Sequence, residues 1–322
     1  MAVYTVVTEA QARVLVQRLG LGALTALQGI RAGIENTNYF VDTDRGRFVL
    51  TVFERLPAAQ LPFYLGLMKH LAGRGIPVPD PQADAAGRLW FDLQGKPASL
   101  LTRLTGSHRL APDLHHVEQV GQMLARLHLA AADAPLSQPN PRGLAWWQAT
   151  VPEVLPFLDA ARAALLSDEL AFQQAAAASP DHAALPAGIV HADLFRDNVM
   201  FDGLPGHEKL TGLLDFFFAG HDAWAFDIAV CLNDWCCDLD SGRLDEARAD
   251  ALVTAYTTER PLAAAECRLM PALLRAAALR FWLSRLWDLH LPRDAALLTA
   301  HDPSHFERVL RERIANPWHP SR

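Results

Sequence analysis

Lysine is nearly missing from this chain. Lys69, Lys96 and Lys209 are its lysines; the rest of the 29 lysine-plus-arginine positions are arginine. Positive charge is also outnumbered, 29 basic against 36 acidic residues, for a formal net charge of −7. A basic footprint does not dominate, which argues against nucleic acid as the main partner. Cysteine is sparse as well: Cys231, Cys236, Cys237 and Cys267 all fall late, in sequence that reads as helix. Adjacent Cys236 and Cys237 point to different sides of a helix and make no metal knuckle, so the four read as reduced thiols packed as small hydrophobes. The most apolar stretch, "GLLDFFFAGHDAWAFDIAVCL", is broken by Asp215, Asp222 and Asp227 and will not span a bilayer. The N-terminus has no basic segment followed by an apolar run, so no signal peptide is expected, and the chain reads as soluble and cytoplasmic. With 51% hydrophobic and 20% charged residues it can bury a sizeable core.

What is present falls into two parts. Thr8 can cap a helix whose apolar spacing runs through Leu19, ended by Gly20 and Gly22. β-forming runs follow at 24–30, 38–43 and 47–54, with Arg45-Gly46 placed between the last two as a hairpin. A helix is expected over 60–74, stopped by the prolines of "GRGIPVPDP", and two more strands lie around Gly95. These elements predict an antiparallel sheet with one helix inserted after its third strand. Beyond Gly106 the pattern turns helical: 113–133, 146–177 and most of 223–290, interrupted by β-like pieces at 188–191, 198–202 and 210–214. The reading is an α+β chain with a small β-rich lobe over 1–104 and a large, mostly helical lobe over 105–322. A cleft between two lobes is a natural place for a small molecule.

The stretch "IVHADLFRDNVMFDG" concentrates chemistry between apolar flanks. Asp193 follows one β-like run, Asn198 stands five residues on before another, and Asp215 comes seventeen residues after Asn198, at the end of "KLTGLLD". The three side chains are expected to converge at the ends of adjacent strands. An amide oxygen and a carboxylate suit magnesium, with coordination left for phosphate and water. A further carboxylate can take a proton from a substrate hydroxyl. That combination is what phosphoryl transfer from a nucleotide requires.

"HADLFRDN" fits H-x-D-x-x-x-x-N, the catalytic loop of kinase-like enzymes, and "LLDFFFAG" looks like the metal-binding segment that follows it. Together with "GIRAGIENTNYFV", "RFVLTVFERL", "LPFYLGLMKHLAGRGIPVPDP", "NPRGLAWW" and "FDIAVCLNDWC", in this order along nearly the whole chain, the sequence resembles the homoserine kinases of the aminoglycoside-phosphotransferase-like superfamily. The loop alone marks the superfamily; the last two stretches narrow the resemblance to homoserine kinases. It implies the two-lobed protein-kinase-like fold, ATP and Mg2+ as cofactors, and L-homoserine as acceptor, with no nucleic-acid or membrane partner. It implies Asp193 as catalytic base, Asn198 and Asp215 as metal ligands, and His191 as a brace for the loop. Arg196 is a candidate for contact with the transferred phosphate.

For the nucleotide, Gly29 and Gly33 could let backbone amides approach phosphates, or could be ordinary turn residues. The resemblance favours a nucleotide-covering loop, with Asn36 and Asn38 as donors and Thr51, Leu101 and Arg103 as further nucleotide-lobe candidates. One feature departs from the general kinase pattern. Thr51 stands where the third strand should carry a phosphate-binding lysine, and Tyr64 stands near its glutamate partner. Loss of both is consistent, since either charge alone would be buried unpaired; Arg47 or Arg55 could then meet the phosphates with magnesium. For the acceptor, Arg142 is a candidate for the carboxylate, as are Arg280 and Arg285, and Asp222 and Asp234 are candidates for the ammonium. Trp146 and Trp147 read as core or cleft wall, Asp227 as a pin for the metal loop, and the late helix "LRAAALRFWLSRLWDL" as core. Two alternatives stay open: a kinase for choline, methylthioribose or an aminoglycoside, and a nucleotide-binding regulator without turnover.

Overall fold

Thr8 opens helix α1 (Glu9–Arg18) by accepting the Gln11 N–H on its side chain, while the Gln11 side chain accepts the Thr8 N–H. Reciprocal capping of this kind satisfies two otherwise orphaned donors at once. The structure is a computed structural model describing residues 4–30, 36–291 and 301–320. It divides into two units, one of residues 1–106, 134–136 and 211–214, the other of 107–133, 137–210 and 215–322.

In the first unit, β1 (Leu24–Gly29), β2 (Thr37–Thr43), β3 (Gly46–Val52), β4 (Phe91–Leu93) and β5 (Lys96–Thr102) form an antiparallel sheet in the order β1-β2-β3-β5-β4. Alternate residues of β2 and β3, Tyr39, Val41, Phe48, Leu50 and Val52, are buried with Val7, Leu15 and Val16. Period-two burial from the strands thus meets the apolar stripe of α1. The β2–β3 reversal falls on Asp44-Arg45, one residue earlier than expected, with Thr43 paired to Gly46. Thr43 Oγ1 accepts the N–H groups of both Arg45 and Gly46 and closes the turn there. Helix α2 (Leu61–Gly73) is inserted after β3 and buries Leu61, Phe63, Tyr64, Leu65, Leu67, Met68 and Leu71.

The second unit begins with α3 (Leu114–Ala131), α4 (Leu144–Val154), α5 (Ala160–Ala177) and the short α6 (Pro180–Ala183). Then come β6 (Ala187–Val190), β7 (Val199–Asp202), β8 (Lys209–Leu213, of which 211–213 count with the first unit) and β9 (Gly220–Ala223), followed by α7 (Trp224–Trp235), α8 (Glu246–Glu259), α9 (Ala264–His290) and α10 (Ser304–Ala315). Strand β9 escapes a sequence reading because Gly220, His221 and Asp222 have little β preference; pairing with β6 makes it a strand. That pairing corrects one expectation. β6 adjoins β9, not β7 or β8, so Asn198 and Asp215 flank the adjacent strands β7 and β8 while Asp193 leaves a strand of another sheet. Helix α7 is the unit's core, buried at every residue from Ala225 to Trp235. Helices α3 and α8 meet so closely that a Cβ on Gly121 would lie 2.1 Å from the Leu252 carbonyl oxygen; only glycine fits. Among the described residues no helix is long and apolar enough to cross a membrane.

Candidate active site

The loop leaving β6 is held from beneath by Asp227, in the first turn of α7. Its Oδ2 accepts the His191 N–H at 2.7 Å and its Oδ1 the Ala192 N–H at 2.8 Å. His128 Nε2 reaches the same Oδ2 at 3.0 Å, and His128 Nδ1 lies 2.8 Å from the Tyr256 hydroxyl. A carboxylate only accepts, so His128 Nε2 carries a proton that it donates to Asp227. Burial pushes the Asp227 carboxyl up, but His128, His191 and the loop N–H hold it below its ordinary pKa. Asp227 therefore pins the loop of Asp193, where the metal loop was expected. The clamp also sustains Ala192 at φ +62°, a left-handed conformation that costs a non-glycine residue about 1–2 kcal/mol. His191 is fully buried, its ring centroid 4.5 Å from that of Phe216.

Beyond this turn Asp193 starts a tight loop. Its carbonyl accepts the Phe195 N–H at 2.8 Å, and the Phe195 carbonyl accepts the Asn198 N–H at 2.9 Å. Trp235 Nε1 donates to the Leu194 carbonyl at 2.9 Å, and Phe195 packs on Phe281 with centroids 4.3 Å apart. The Asp193 side chain is 15% exposed. Burial raises its carboxyl to about 8; Arg280 opposes this, while the negative charges of Asp215, Asp197 and Asp234 add to it. Asn198 Nδ2 donates to the Asp193 carbonyl at 2.8 Å and to Asp193 Oδ2 at 3.3 Å. On the other oxygen, Arg280 Nη2 stands 3.6 Å from Oδ1.

Asp215 follows β8 at φ +58°, a left-handed conformation that aspartate tolerates better than most residues. Its charge is felt at Asp193, which places the two carboxylates in one electrostatic cluster. With its nitrogen turned to Asp193, the Asn198 amide leaves its oxygen as the acceptor a cation can use. Among the described residues no group of three or more His, Cys, Asp or Glu side chains is arranged to hold a metal. A cation here has to take an amide oxygen, a carboxylate and ligands from outside the protein. That donor set, beside mutually repelling carboxylates, fits Mg2+, which keeps water and phosphate oxygens in its shell.

A family model described as "Phosphotransferase enzyme family" matches residues 26–265. The chain belongs to this family. It is 59% identical over 318 residues to a homoserine kinase of Polaromonas naphthalenivorans, covering 99% of each chain. It is 56% identical over 319 residues to a homoserine kinase of Paraburkholderia xenovorans, covering 98% of this chain and 96% of that one. Among solved structures it resembles an amicoumacin kinase in complex with AMP-PNP, Ca2+ and Ami, with TM-score 0.66, 16% identity, and coverage of 95% and 94%. At that identity the likeness speaks for the fold, which is the protein-kinase-like one expected.

In this phosphotransferase three sequence expectations give way to a different arrangement. Arg196 is buried, and its N–H and Nε both donate to Asp234 Oδ2, at 2.8 and 3.1 Å. Its Nη1 donates to the Leu110 carbonyl at 2.8 Å and its Nη2 to the Asp234 carbonyl. A buried guanidinium needs such partners, so Arg196 is a strut of the loop where a phosphate contact was expected. Asp234 is its counter-ion where an ammonium ligand was expected. Asp222 lies opposite Gly188, toward the end of β6 away from the loop. It accepts the Asn140 amide at 2.7 Å and lines a cavity with Trp147, Gln173 and His182; this too takes it from the acceptor ammonium. Arg142 stacks over Trp146 at 4.2 Å, with Trp287 at 5.1 Å and Phe218 at 5.7 Å. Arg280 lies over that same Phe218 at 4.7 Å. Phe218, Trp287, His128 and Tyr256 were not singled out from the sequence; the spacing of polar residues among apolar ones marks only His128, in "RLHLAA".

The nucleotide candidates sit in the first unit. Thr51 is opposite Asn38 in the β2–β3 register, and its hydroxyl donates to Asn38 Oδ1 at 2.8 Å. Asn38 Nδ2 reaches the Asn36 carbonyl at 3.5 Å. Leu101 is buried opposite Val49, and Arg103 covers the Phe40 ring at 3.8 Å. Gly33 lies outside the described residues. Strand β3 carries no lysine: Lys69 is paired with Asp80 and Lys96 with Glu54.

Proposed function

We infer that the chain transfers the γ-phosphoryl group of ATP to the side-chain hydroxyl of L-homoserine, giving O-phospho-L-homoserine, a step toward threonine. One observation carries this reading: near-full-length identity above half with homoserine kinases, in a chain whose Asp193 and Asn198 are joined by hydrogen bonds. Residues 1–104 hold the nucleotide, with Asn36, Asn38, Thr51, Leu101 and Arg103 as its contacts, and 105–322 hold the acceptor and the chemistry. Asp193 accepts the proton of the homoserine hydroxyl as the hydroxyl oxygen bonds to the γ-phosphorus in line and the bond from that phosphorus to the β-phosphate oxygen breaks, releasing ADP. Asn198 and Asp215 would hold Mg2+, and the bound ion would offset charge on the phosphate oxygens. His191 and Arg196 hold the loop in place, and Arg142, backed by Trp146, meets the homoserine carboxylate. The chain works in the cytoplasm on this reading, with ATP as donor and free thiols at all four cysteines.

The test is coupled ADP release with homoserine, choline, methylthioribose and an aminoglycoside, each with and without Mg2+. Magnesium-dependent turnover that is fastest with homoserine is expected. Faster turnover of another alcohol would replace the acceptor, and no turnover of any would leave a nucleotide-binding regulator.

A further inference from the structure

Arg280 occupies the middle of α9, among buried Leu, Ala, Phe and Trp, and is itself 3% exposed. A guanidinium carries five N–H donors and stays charged in proteins. The Nε and Nη2 atoms of Arg280 are buried without a hydrogen-bond partner among the described residues. Asp193 Oδ1, at 3.6 Å from Nη2, is beyond hydrogen-bond length. The contrast with other buried arginines of the same unit is sharp. Arg196 has Asp234 Oδ2 at 3.1 Å, and Arg260 has both oxygens of Glu266 at 2.8 Å. Burial lowers the Arg280 pKa, with Asp193 and Asp288 opposing that shift. Phe281 and Phe218 cover the group at 3.7 and 4.7 Å. A desolvated cation with two donor atoms lacking an acceptor among the described residues is suited to an anion that arrives with the substrate.

The side of Asp193 on which Arg280 stands indicates which anion. Oδ2 faces Asn198, and Oδ1 faces Arg280. If Asn198 marks the metal and the phosphates, Arg280 marks the acceptor. Arg142 lies against the same Phe218 ring. In extended homoserine the hydroxyl oxygen and a carboxylate oxygen are only about 5–6 Å apart by ordinary bond lengths. A hydroxyl bonded to Asp193 therefore keeps its carboxylate within reach of guanidiniums clustered on Phe218. We propose that Arg280 is the inner anchor of the acceptor α-carboxylate, sharing it with Arg142 at Phe218 and so selecting short alcohols that carry a carboxylate. This rests on the homoserine kinase reading and adds to it the residue that distinguishes an amino acid from a simple amino alcohol.

The experiment compares homoserine with 3-aminopropan-1-ol, the same chain without its carboxylate, in wild type, Arg280→Met and Arg280→Lys. Losing a buried charge-assisted contact should lower kcat/KM for homoserine by about 100-fold or more in Arg280→Met. Turnover of 3-aminopropan-1-ol should fall too, because Arg280 opposes the rise of the Asp193 carboxyl, but by about tenfold less than that of homoserine, since a contact the substrate never makes cannot be lost. Calorimetric titration of homoserine should show the same loss of affinity without relying on turnover. Arg280→Lys keeps the charge but not the fork; it should lie between the other two on homoserine alone, and it carries the comparison if Arg280→Met fails to fold. Equal losses on both alcohols would overturn the proposal, placing Arg280 at the base or the transferred phosphoryl group. Unchanged homoserine affinity would overturn it as well. Wild-type turnover of homoserine tests the kinase reading by itself, so the two can fail separately.

Discussion

Asn198 grips Asp193 twice, through the backbone carbonyl at 2.8 Å and through Oδ2 at 3.3 Å. The residue assigned to the metal thus also aims the residue assigned to the proton, and neither role can be altered in isolation. Replacing Asn198 should lower turnover and weaken metal dependence together, whereas the substitutions below separate the two.

Asp193→Asn keeps the shape of the loop and removes the proton acceptor. Turnover should fall by about 10²–10⁴-fold, the usual contribution of a positioned general base. Nucleotide affinity, followed by fluorescence or calorimetry, should stay near wild type. Near-normal turnover would remove Asp193 from the chemistry.

The same substitution changes the pH dependence of stability. In the folded chain the Asp193 carboxyl stays protonated up to about 8, whereas in the unfolded chain it ionises near about 3.9. Between those values the native state binds more protons, so this group's contribution to stability declines as pH rises from about 4 to about 8 and levels off above. Asp193→Asn should therefore gain on wild type across that window and be the more stable protein at its upper end. Melting temperatures of the two nucleotide-free proteins from pH 4 to 9 would measure this, and parallel curves would contradict it. Ionisation of the folded carboxyl, centred near about 8, supplies the base, so turnover should climb where the stability curve levels off.

Asp215→Ala removes a carboxylate oxygen from the proposed cation site and leaves Asp193 in place. The Mg2+ concentration for half-maximal rate should rise by about tenfold or more, since a hard divalent ion bound by few protein ligands depends on each. An unshifted metal titration would assign Asp215 elsewhere.

Asp227→Ala leaves His128 and two loop N–H groups without an acceptor in a fully buried place. Breaking a buried charged network from one side costs about 3–5 kcal/mol. Chemical denaturation should show a loss of that size, with the loop's hydrogen exchange accelerated. A loss below about 1 kcal/mol, the range of surface pairs, would mean the clamp is dispensable.

Arg196→Ala and Asp234→Ala should each destabilise, and the double variant should be little worse than either, because both remove one buried ion pair. The KM for ATP should barely move in either. A large rise in that KM confined to Arg196→Ala would restore Arg196 to the phosphate.

Periodicity and spacing alone carried the α+β class, the inserted helix after the third strand, the Thr8 cap and the interval from His191 to Asn198, because each depends on contacts a few residues apart. Period-two burial in β2 and β3 and the capping geometry are written locally and survive any packing. The tertiary structure decided what depends on partners distant in the chain. Strand β9 exists because β6 lies beside it. Arg196 and Asp234 look like two site residues in the sequence and become one internal pair when α7 packs under the loop. Arg280 looks like one arginine of a core helix until burial removes its water and places it 3.6 Å from Asp193. A charge takes its meaning from its solvent and its neighbours, and neither is a property of sequence position.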